Sequence, residues 1–289
     1  MTAAIDIRGL PPRSILFVPA SRPELAAKAA AGDADAVCID LEDGVAEATR
    51  PAARGNVAAM ARTVANAGRT VMVRVNAGAA DMAADVESLD AAVHALVVAK
   101  AAGADHLARA AGLAAGRGLD AALVPMVESV AGIDAFAALA RGDVPGLAAL
   151  AVGIEDLAHD LEVAGDSRAL EHAFYRLLEC ARRLDVPLLG FPPSIGEFTD
   201  LEHYARQVKV GVDMGAAGAF CIHPRQVAVL NRAFSPDDDD IAWAREVVEA
   251  LEGAEGDGAG AVAVRGRMVD RPVAARARRI LERVRQARA

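Results

Sequence analysis

Eight short apolar runs rich in Val, Ile, Leu and Ala recur along the chain, separated by longer stretches in which apolar residues fall at helical spacing. They are Ser14–Pro19, Ala36–Leu41, Thr70–Asn76, Ala95–Lys100, Ala121–Glu128, Leu147–Ile154, Val186–Phe191 and Ala217–His223. Their apolar character is continuous, not alternating, which predicts strands covered on both faces, as in a parallel sheet. Eight βα units in 289 residues close most economically into an α/β fold, the (β/α)8 TIM barrel, which typically takes about 250 residues. A doubly wound open sheet would give a similar pattern.

Helix signals lie between the runs. Ser21-Arg22-Pro23-Glu24 offers a capping serine with an acid three positions on, and predicts a helix from about Pro23 to Ala31 that Gly32 stops. Ser235-Pro236 followed by four aspartates predicts a helix over Ile241–Leu251, with the acids at the positive end of its dipole. A cation site is the competing reading of those aspartates. After this helix the character changes: Gly253–Gly260 reads as a mobile loop, followed by an Arg-rich helix from about Val273 to Arg288. The division expected is therefore a barrel over 1–252 and an extension over 253–289. That extension is too short for a core of its own, so it is expected to dock on the barrel or on a neighbouring subunit.

Composition narrows the class of partner. A net charge of -9 and an aromatic content of 3% leave neither a basic surface for phosphate backbones nor a stacking platform for bases, so no nucleic-acid partner is expected. Cys38, Cys180 and Cys221 are odd in number and embedded in apolar runs, which predicts reduced core thiols in a cytoplasmic setting, neither disulfides nor a zinc site. The start of the chain, with Asp6 and Arg8, has no apolar signal region, and no run of about 18 uncharged apolar residues follows, so neither export nor a membrane span is expected.

In a parallel barrel every strand ends on one face, so polar residues at those ends converge. They are Asp40, Glu42 and Asp43, Arg74 and Asn76, Lys100, Glu128, Glu155 and Asp156, and His223. Glu128 with Asp156 is the strongest pair. Hard oxygen ligands without nearby Cys or His suit Mg2+, or Mn2+, and two carboxylates leave most of an octahedral shell to water and substrate. Such a site can chelate a carboxylate with an adjacent hydroxyl or keto oxygen. Arg74 offers a planar donor for a substrate carboxylate or oxyanion. Simple ion pairing is the alternative for Arg74 and Lys100, and a hydrogen-bonded structural role for His223.

An ordered series of segments carries a resemblance: Pro12–Pro19, Arg22-Pro23-Glu24, Ile39–Asp43, Val73–Asn76, Pro125–Ser129, Gly153–Leu157, Ile222–Gln226 and Gly266–Pro272. Together they resemble the citrate lyase beta-subunit-like family of the HpcH/HpaI aldolase superfamily, from about Pro11 to the C-terminus. The resemblance implies a (β/α)8 barrel in a homo-oligomer, a trimer or hexamer, performing Mg2+-dependent carbon–carbon bond chemistry on coenzyme A thioesters. It implies Glu128 and Asp156 as metal ligands, Glu128 also as a substrate contact, Arg74 as the carboxylate or oxyanion contact, and Glu42 and Asp43 as acceptors for the metal's waters. Asp270 is similar to an acid/base that some members donate from a neighbouring subunit, and Arg22 and Lys28 fall where the family has basic residues near the coenzyme A phosphates. HpaI-type pyruvate aldolases place a histidine base where Asp43 stands, which favours the citrate lyase-like branch.

Three positions depart from the family pattern. Ala99-Lys100 replaces the common Pro-Lys, Ala20 replaces a glycine, and Pro187–Pro193 lacks the aspartate many members carry after the seventh strand begins. The last leaves the shape of the acyl pocket open. The expected function is a lyase, or a synthase in reverse, that joins or splits an acyl-CoA and a 2-keto acid through a malyl-, citramalyl- or citryl-type thioester. A thioesterase on the same site and a noncatalytic acyl-CoA-binding accessory subunit are the rivals.

Overall fold

All eight apolar runs form strands in the computed structural model, which describes residues 7, 9–192, 196, 198–256 and 260–287. They are β1 (Ser14–Pro19), β2 (Ala36–Asp40), β3 (Thr70–Val75), β4 (Ala95–Val98), β5 (Ala122–Val127), β6 (Leu150–Val152), β7 (Leu188–Leu189) and β8 (Ala219–Cys221). Every neighbouring pair is parallel, in the order β7-β6-β5-β4-β3-β2-β1-β8. Two backbone bonds bring the ends of that order together: Ala217 N donates to Leu188 O and Gly190 N to Gly218 O, both at 2.9 Å. The sheet is therefore a barrel and not an open, doubly wound layer.

Burial explains why the runs are apolar throughout. The side chains of β2, β3, β4 and β5 are buried along their whole length. One set, including Ile15, Ala36, Cys38, Met72, Val97, Val124, Met126, Ala151 and Phe220, packs as one cluster, and alternate residues such as Leu16, Val37, Val73, Leu96 and Leu123 pack in another with the helices. Successive strand residues point to opposite faces, so both faces need apolar side chains.

The helices between and after the strands are α1 (Glu24–Ala30), α2 (Arg50–Asn66), α3 (Ala79–Glu87), α4 (Ala104–Gly116), α5 (Val130–Ala137), α6 (Ile154–Asp160), α7 (Arg168–Leu184), α8 (Leu201–Met214) and α9 (Pro224–Ala233). The helix expected near Pro23 is α1, but Ser21 does not cap it. Pro23 occupies the N-cap and no side chain bonds there. Cys38, Cys180 and Cys221 are free and buried, and burial pushes the Cys221 thiol up to about 12 and the other two upward, so none is a ready nucleophile.

The chain divides into two compact units, one ending at Phe234 and one starting at Ser235, so the division falls earlier than 252/253. The second unit contains α10 (Asp238–Gly256), an antiparallel pair of β9 (Val262–Val264) and β10 (Arg267–Val269), and α11 (Arg271–Ala287). It has an apolar cluster of its own, Ala244, Val247, Leu251, Val264, Val269, Ala274 and Ala277, to which the segment before 253 contributes three members. The expected loop is likewise shorter. α10 continues through Gly253 to Gly256, and Asp237 caps its start by accepting the Asp240 amide at 2.7 Å. The aspartate run is thus a helix start. Asp6, Arg8, Pro193, residues 257–259, Arg288 and the side chain of Arg285 lie outside the described residues. Among the described residues no helix is long and apolar enough to cross a membrane.

Candidate active site

The strand register determines which polar ends meet. Asp40 and Arg74 are direct partners across β2 and β3. Arg74 donates from Nε to Asp40 Oδ1 and from Nη2 to Asp40 Oδ2, both at 2.7 Å, in a bidentate fork. Asp40 also accepts the amides of Glu42 at 3.0 Å and Gly44 at 2.8 Å, so it ties Arg74 to the loop that carries Glu42 and Asp43. The remaining Arg74 nitrogen, Nη1, lies 3.0 Å from Glu42 Oε2 and 3.5 Å from Asp43 Oδ2. Below the guanidinium lies Phe17, its ring centroid 4.7 Å from Arg74 Cζ, and Phe17 stacks in turn on Phe220 at 4.9 Å. Burial works against the Arg74 charge, but its hydrogen bonds to Asp40 and the charges of Asp40 and Glu42 outweigh it and hold its pKa above the ordinary value.

Lys100 joins this network from the end of β4 in a left-handed backbone conformation, φ 47°. That geometry is costly for a residue with a Cβ. It directs the Lys100 amide to Glu128 Oε2 at 3.2 Å, while Nζ pairs with Glu42 Oε1 and lies 3.5 Å from Asp43 Oδ1. Glu128 follows β5, where Ser129 caps α5 by accepting the Gly132 amide at 3.0 Å. Asp156 sits in the first turn of α6. Glu128 is 4% exposed, and burial first, then the charges of Glu42 and Asp156, push its carboxyl up to about 8.

The site thus collects five carboxylates, Asp40, Glu42, Asp43, Glu128 and Asp156, around two cations, Arg74 and Lys100. The positive charge still wanting is greatest at Glu128 and Asp156, since Asp40, Glu42 and Asp43 already face Arg74 or Lys100. A divalent cation fits that deficit. Among the described residues no three His, Cys, Asp or Glu side chains form a metal cage, so a cation held by two carboxylates would keep room for water and substrate.

Two glycines make the arrangement possible. A Cβ on Gly153, which follows β6, would lie 2.4 Å from Glu128 Cγ, and one on Gly44 would lie 2.5 Å from Asp40 Oδ2. Gly153→Ala is expected to displace Glu128, lowering turnover at least tenfold while the protein stays folded. Activity measured beside a circular dichroism melt checks this, and unchanged turnover would count against it.

Other predicted residues fall elsewhere. Glu155 is exposed and makes no part of the cluster. Asn76 is engaged structurally, its amide side chain bonded to Leu41 O and Asp85 Oδ2. His223 is the N-cap of α9, its Nδ1 accepting the Arg225 amide at 3.1 Å and its ring stacking on Phe198. Arg22 and Lys28 are both exposed, Arg22 paired with Glu24 at 3.1 Å. Asp270, in the C-terminal unit, accepts the Val273 amide at 3.2 Å at the start of α11. There Arg276 lies over Trp243, and Arg278 pairs with Glu252. Asp40, Phe17, Gly44 and Gly153 have no role assigned from the sequence, and Lys100 stands there among the strand-end polar residues with ion pairing as its alternative. The acid and glycine of Asp40–Gly44 and the glycine before Ile154-Glu155-Asp156 were the available signals.

The family model described as HpcH/HpaI aldolase/citrate lyase matches residues 13–224, a span that covers the barrel strands from β1 to β8. The chain belongs to the HpcH/HpaI aldolase/citrate lyase family. As a member it is an enzyme of the aldolase type, a carbon–carbon lyase. It is 35% identical to a citrate lyase subunit beta-like protein of Mycobacterium tuberculosis over 282 residues, covering 94% of this chain and 95% of that protein. It is 29% identical to an L-malyl-CoA/beta-methylmalyl-CoA lyase of Rhodobacter capsulatus, covering 89% of this chain and 90% of the other. Among solved structures, the CitE protein of M. tuberculosis in complex with magnesium, acetoacetate and coenzyme A superposes with a TM-score of 0.73 at 31% identity, covering 96% of this chain and 98% of that one. Within the family, Glu128 and Asp156 are thus placed on a barrel whose relatives have been crystallised with magnesium.

Proposed function

We propose that this enzyme is a Mg2+-dependent lyase, or a synthase in reverse, that splits a 3-hydroxyacyl-CoA-type thioester into an acyl-CoA and a 2-keto acid. The observation that carries this reading is Glu128, a buried carboxyl with a raised pKa beside further acids, in a site short of positive charge. Relatives named for malyl-CoA and beta-methylmalyl-CoA, and a neighbour crystallised with oxaloacetate and magnesium, support a malyl-, citramalyl- or citryl-type substrate.

Glu128 and Asp156 would hold the Mg2+, with Mn2+ able to replace it, and the cation would supply the positive charge that draws the substrate's carboxylate and adjacent oxygen into the site. Arg74, locked by Asp40 and Phe17, offers Nη1 to a substrate carboxylate or to the oxyanion that develops as the bond breaks. Glu42 and Asp43 accept from water around the metal. Asp270 returns the proton to the carbon left by the departing keto acid, and we infer that it does so in a neighbouring subunit's site, in a homotrimer or hexamer. Arg22 and Lys28, both exposed, are the proposed contacts of the coenzyme A phosphates.

Incubation with a panel of hydroxyacyl-CoA thioesters and Mg2+, following free thiol and keto acid together, tests the reaction. Keto acid without free thiol is the expected outcome. Free thiol without keto acid identifies a thioesterase, and neither product identifies an acyl-CoA-binding accessory subunit. Mixing the inactive variants Arg74→Met and Asp270→Asn should restore about a quarter of the activity, as random pairing leaves some shared sites with both native groups. No recovery would place Asp270 outside the shared site.

A further inference from the structure

Lys100 is the one site cation whose attachment is lopsided. Arg74 is held by a two-pronged bond to Asp40 and by an aromatic face, whereas among the described residues the Lys100 ammonium pairs with the carboxylates of Glu42 and Asp43, and its side chain is 45% exposed. Its backbone is the better-anchored half. The left-handed turn at φ 47° places the amide against Glu128 and sends the flexible stem toward the opposite acids, so one residue touches the carboxyl of β5 and the loop after β2 at once. The charge of Asp156 also acts on the ammonium. A compact ammonium paired with Glu42 and Asp43 thus acts electrostatically on the neighbouring Glu128 and Asp156, where a metal ion's charge is wanted.

We propose that Lys100 is a tethered counter-ion, a positioning residue that partly neutralises the acidic cluster in the metal-free enzyme and competes electrostatically with the divalent cation for it. This rests on the reading of Glu128 and Asp156 as metal ligands. Its consequence is that Lys100 holds Glu42 and Asp43 in place without Mg2+ and lowers the affinity for Mg2+, keeping the cation exchangeable. Charges a few ångströms apart in a partly buried site interact strongly enough to change a divalent cation's affinity by about tenfold.

The test is Mg2+ titration by calorimetry, with the metal alone and no substrate, on wild type, Lys100→Met and Lys100→Arg. Lys100→Met keeps the length of the stem and the backbone geometry and removes the charge. It should bind Mg2+ about tenfold more tightly than wild type, and Lys100→Arg should bind like wild type. Thermal melts give the second readout: Lys100→Met should melt below wild type in chelator, and Mg2+ should raise its melting temperature by more than it raises that of wild type. Should Lys100→Met be poorly folded, Lys100→Gly relieves the strained φ, removes the same charge and carries the same expectation for Mg2+ affinity. Binding by the uncharged variants that is equal to or weaker than wild type overturns the counter-ion role. If wild type itself takes up no Mg2+, the metal reading fails first and this inference falls with it.

Discussion

Replacing Glu128 by Gln is expected to abolish Mg2+-dependent turnover and, in chelator above neutral pH, to make the protein more stable than wild type. The two effects have one cause. In the folded, metal-free protein burial and neighbouring acids raise the Glu128 carboxyl to about 8, well above the ordinary 4.5. A raised carboxyl pKa means that the folded state holds its proton more firmly than the unfolded state does. Stability is therefore greatest below the unfolded value, falls as the pH rises between 4.5 and about 8, and levels off above that. Each pH unit within the window is worth ~1.4 kcal/mol at most. Glutamine carries no charge to bury, so the variant should lose this slope and gain ~2–4 kcal/mol over wild type near pH 8. Mg2+ should close this gap, stabilising wild type by ~2.7 kcal/mol at a hundredfold excess over its Kd and by ~4.1 kcal/mol at a thousandfold, and the variant hardly at all. Metal uptake by wild type should release a proton, its affinity rising with pH up to about 8. Thermal melts across pH 5–9, with and without Mg2+, check all of this. A Glu128→Gln protein that keeps its turnover would sink the metal assignment.

Asp40→Asn should be the most damaging single change to the barrel unit. Asp40 is 3% exposed and accepts four hydrogen bonds, two from Arg74 and one each from the amides of Glu42 and Gly44. Asparagine is nearly the same size, but its NH2 group cannot accept and would face donors. Removing one member of a buried ion pair leaves the other charge poorly compensated, which costs ~3–5 kcal/mol. The melting temperature should fall by roughly 10 °C, and turnover should fall with it because Nη1 of Arg74 loses its aim. Arg74→Met tests the partner: it leaves the buried Asp40 and Glu42 carboxylates without this cation, so it should destabilise by a comparable ~3–5 kcal/mol while abolishing turnover as completely. If Asp40→Asn melts like wild type, the ion pair does not hold the site together.

Much of this site was legible because its parts lie at strand ends. The Glu128 carboxyl follows an unbroken apolar run and Asp156 follows another, so a parallel barrel had to bring them to one face. Arg74 was legible as a charge inside the third run. What each charge does was not. The reading of Arg74 as a free substrate donor left out Asp40, which takes two of its three nitrogens. That His223 caps a helix was visible only once the start of α9 was placed. The core of the C-terminal unit was hidden for a related reason: its apolar cluster draws on α10, β9, β10 and α11 together, and a count of residues after 252 omits most of α10.

By itself the sequence determined a parallel sheet of eight βα units and the sheet end on which the chemistry sits, because strand period, continuous apolar character and strand-end polarity are local properties; closure into a barrel rests on the bonds between the ends of β7 and β8. The tertiary structure decided the partners. Asp40 meets Arg74 because the two are register partners across β2 and β3, and Gly153 must lack a side chain because it lies against Glu128, one residue past the pairing of Val127 with Val152. Lys100 reaches Glu128, 28 residues away, and Glu42, 58 away, through one left-handed turn. Register and a single dihedral angle arise from the packing of the whole barrel, so no window of sequence contains them.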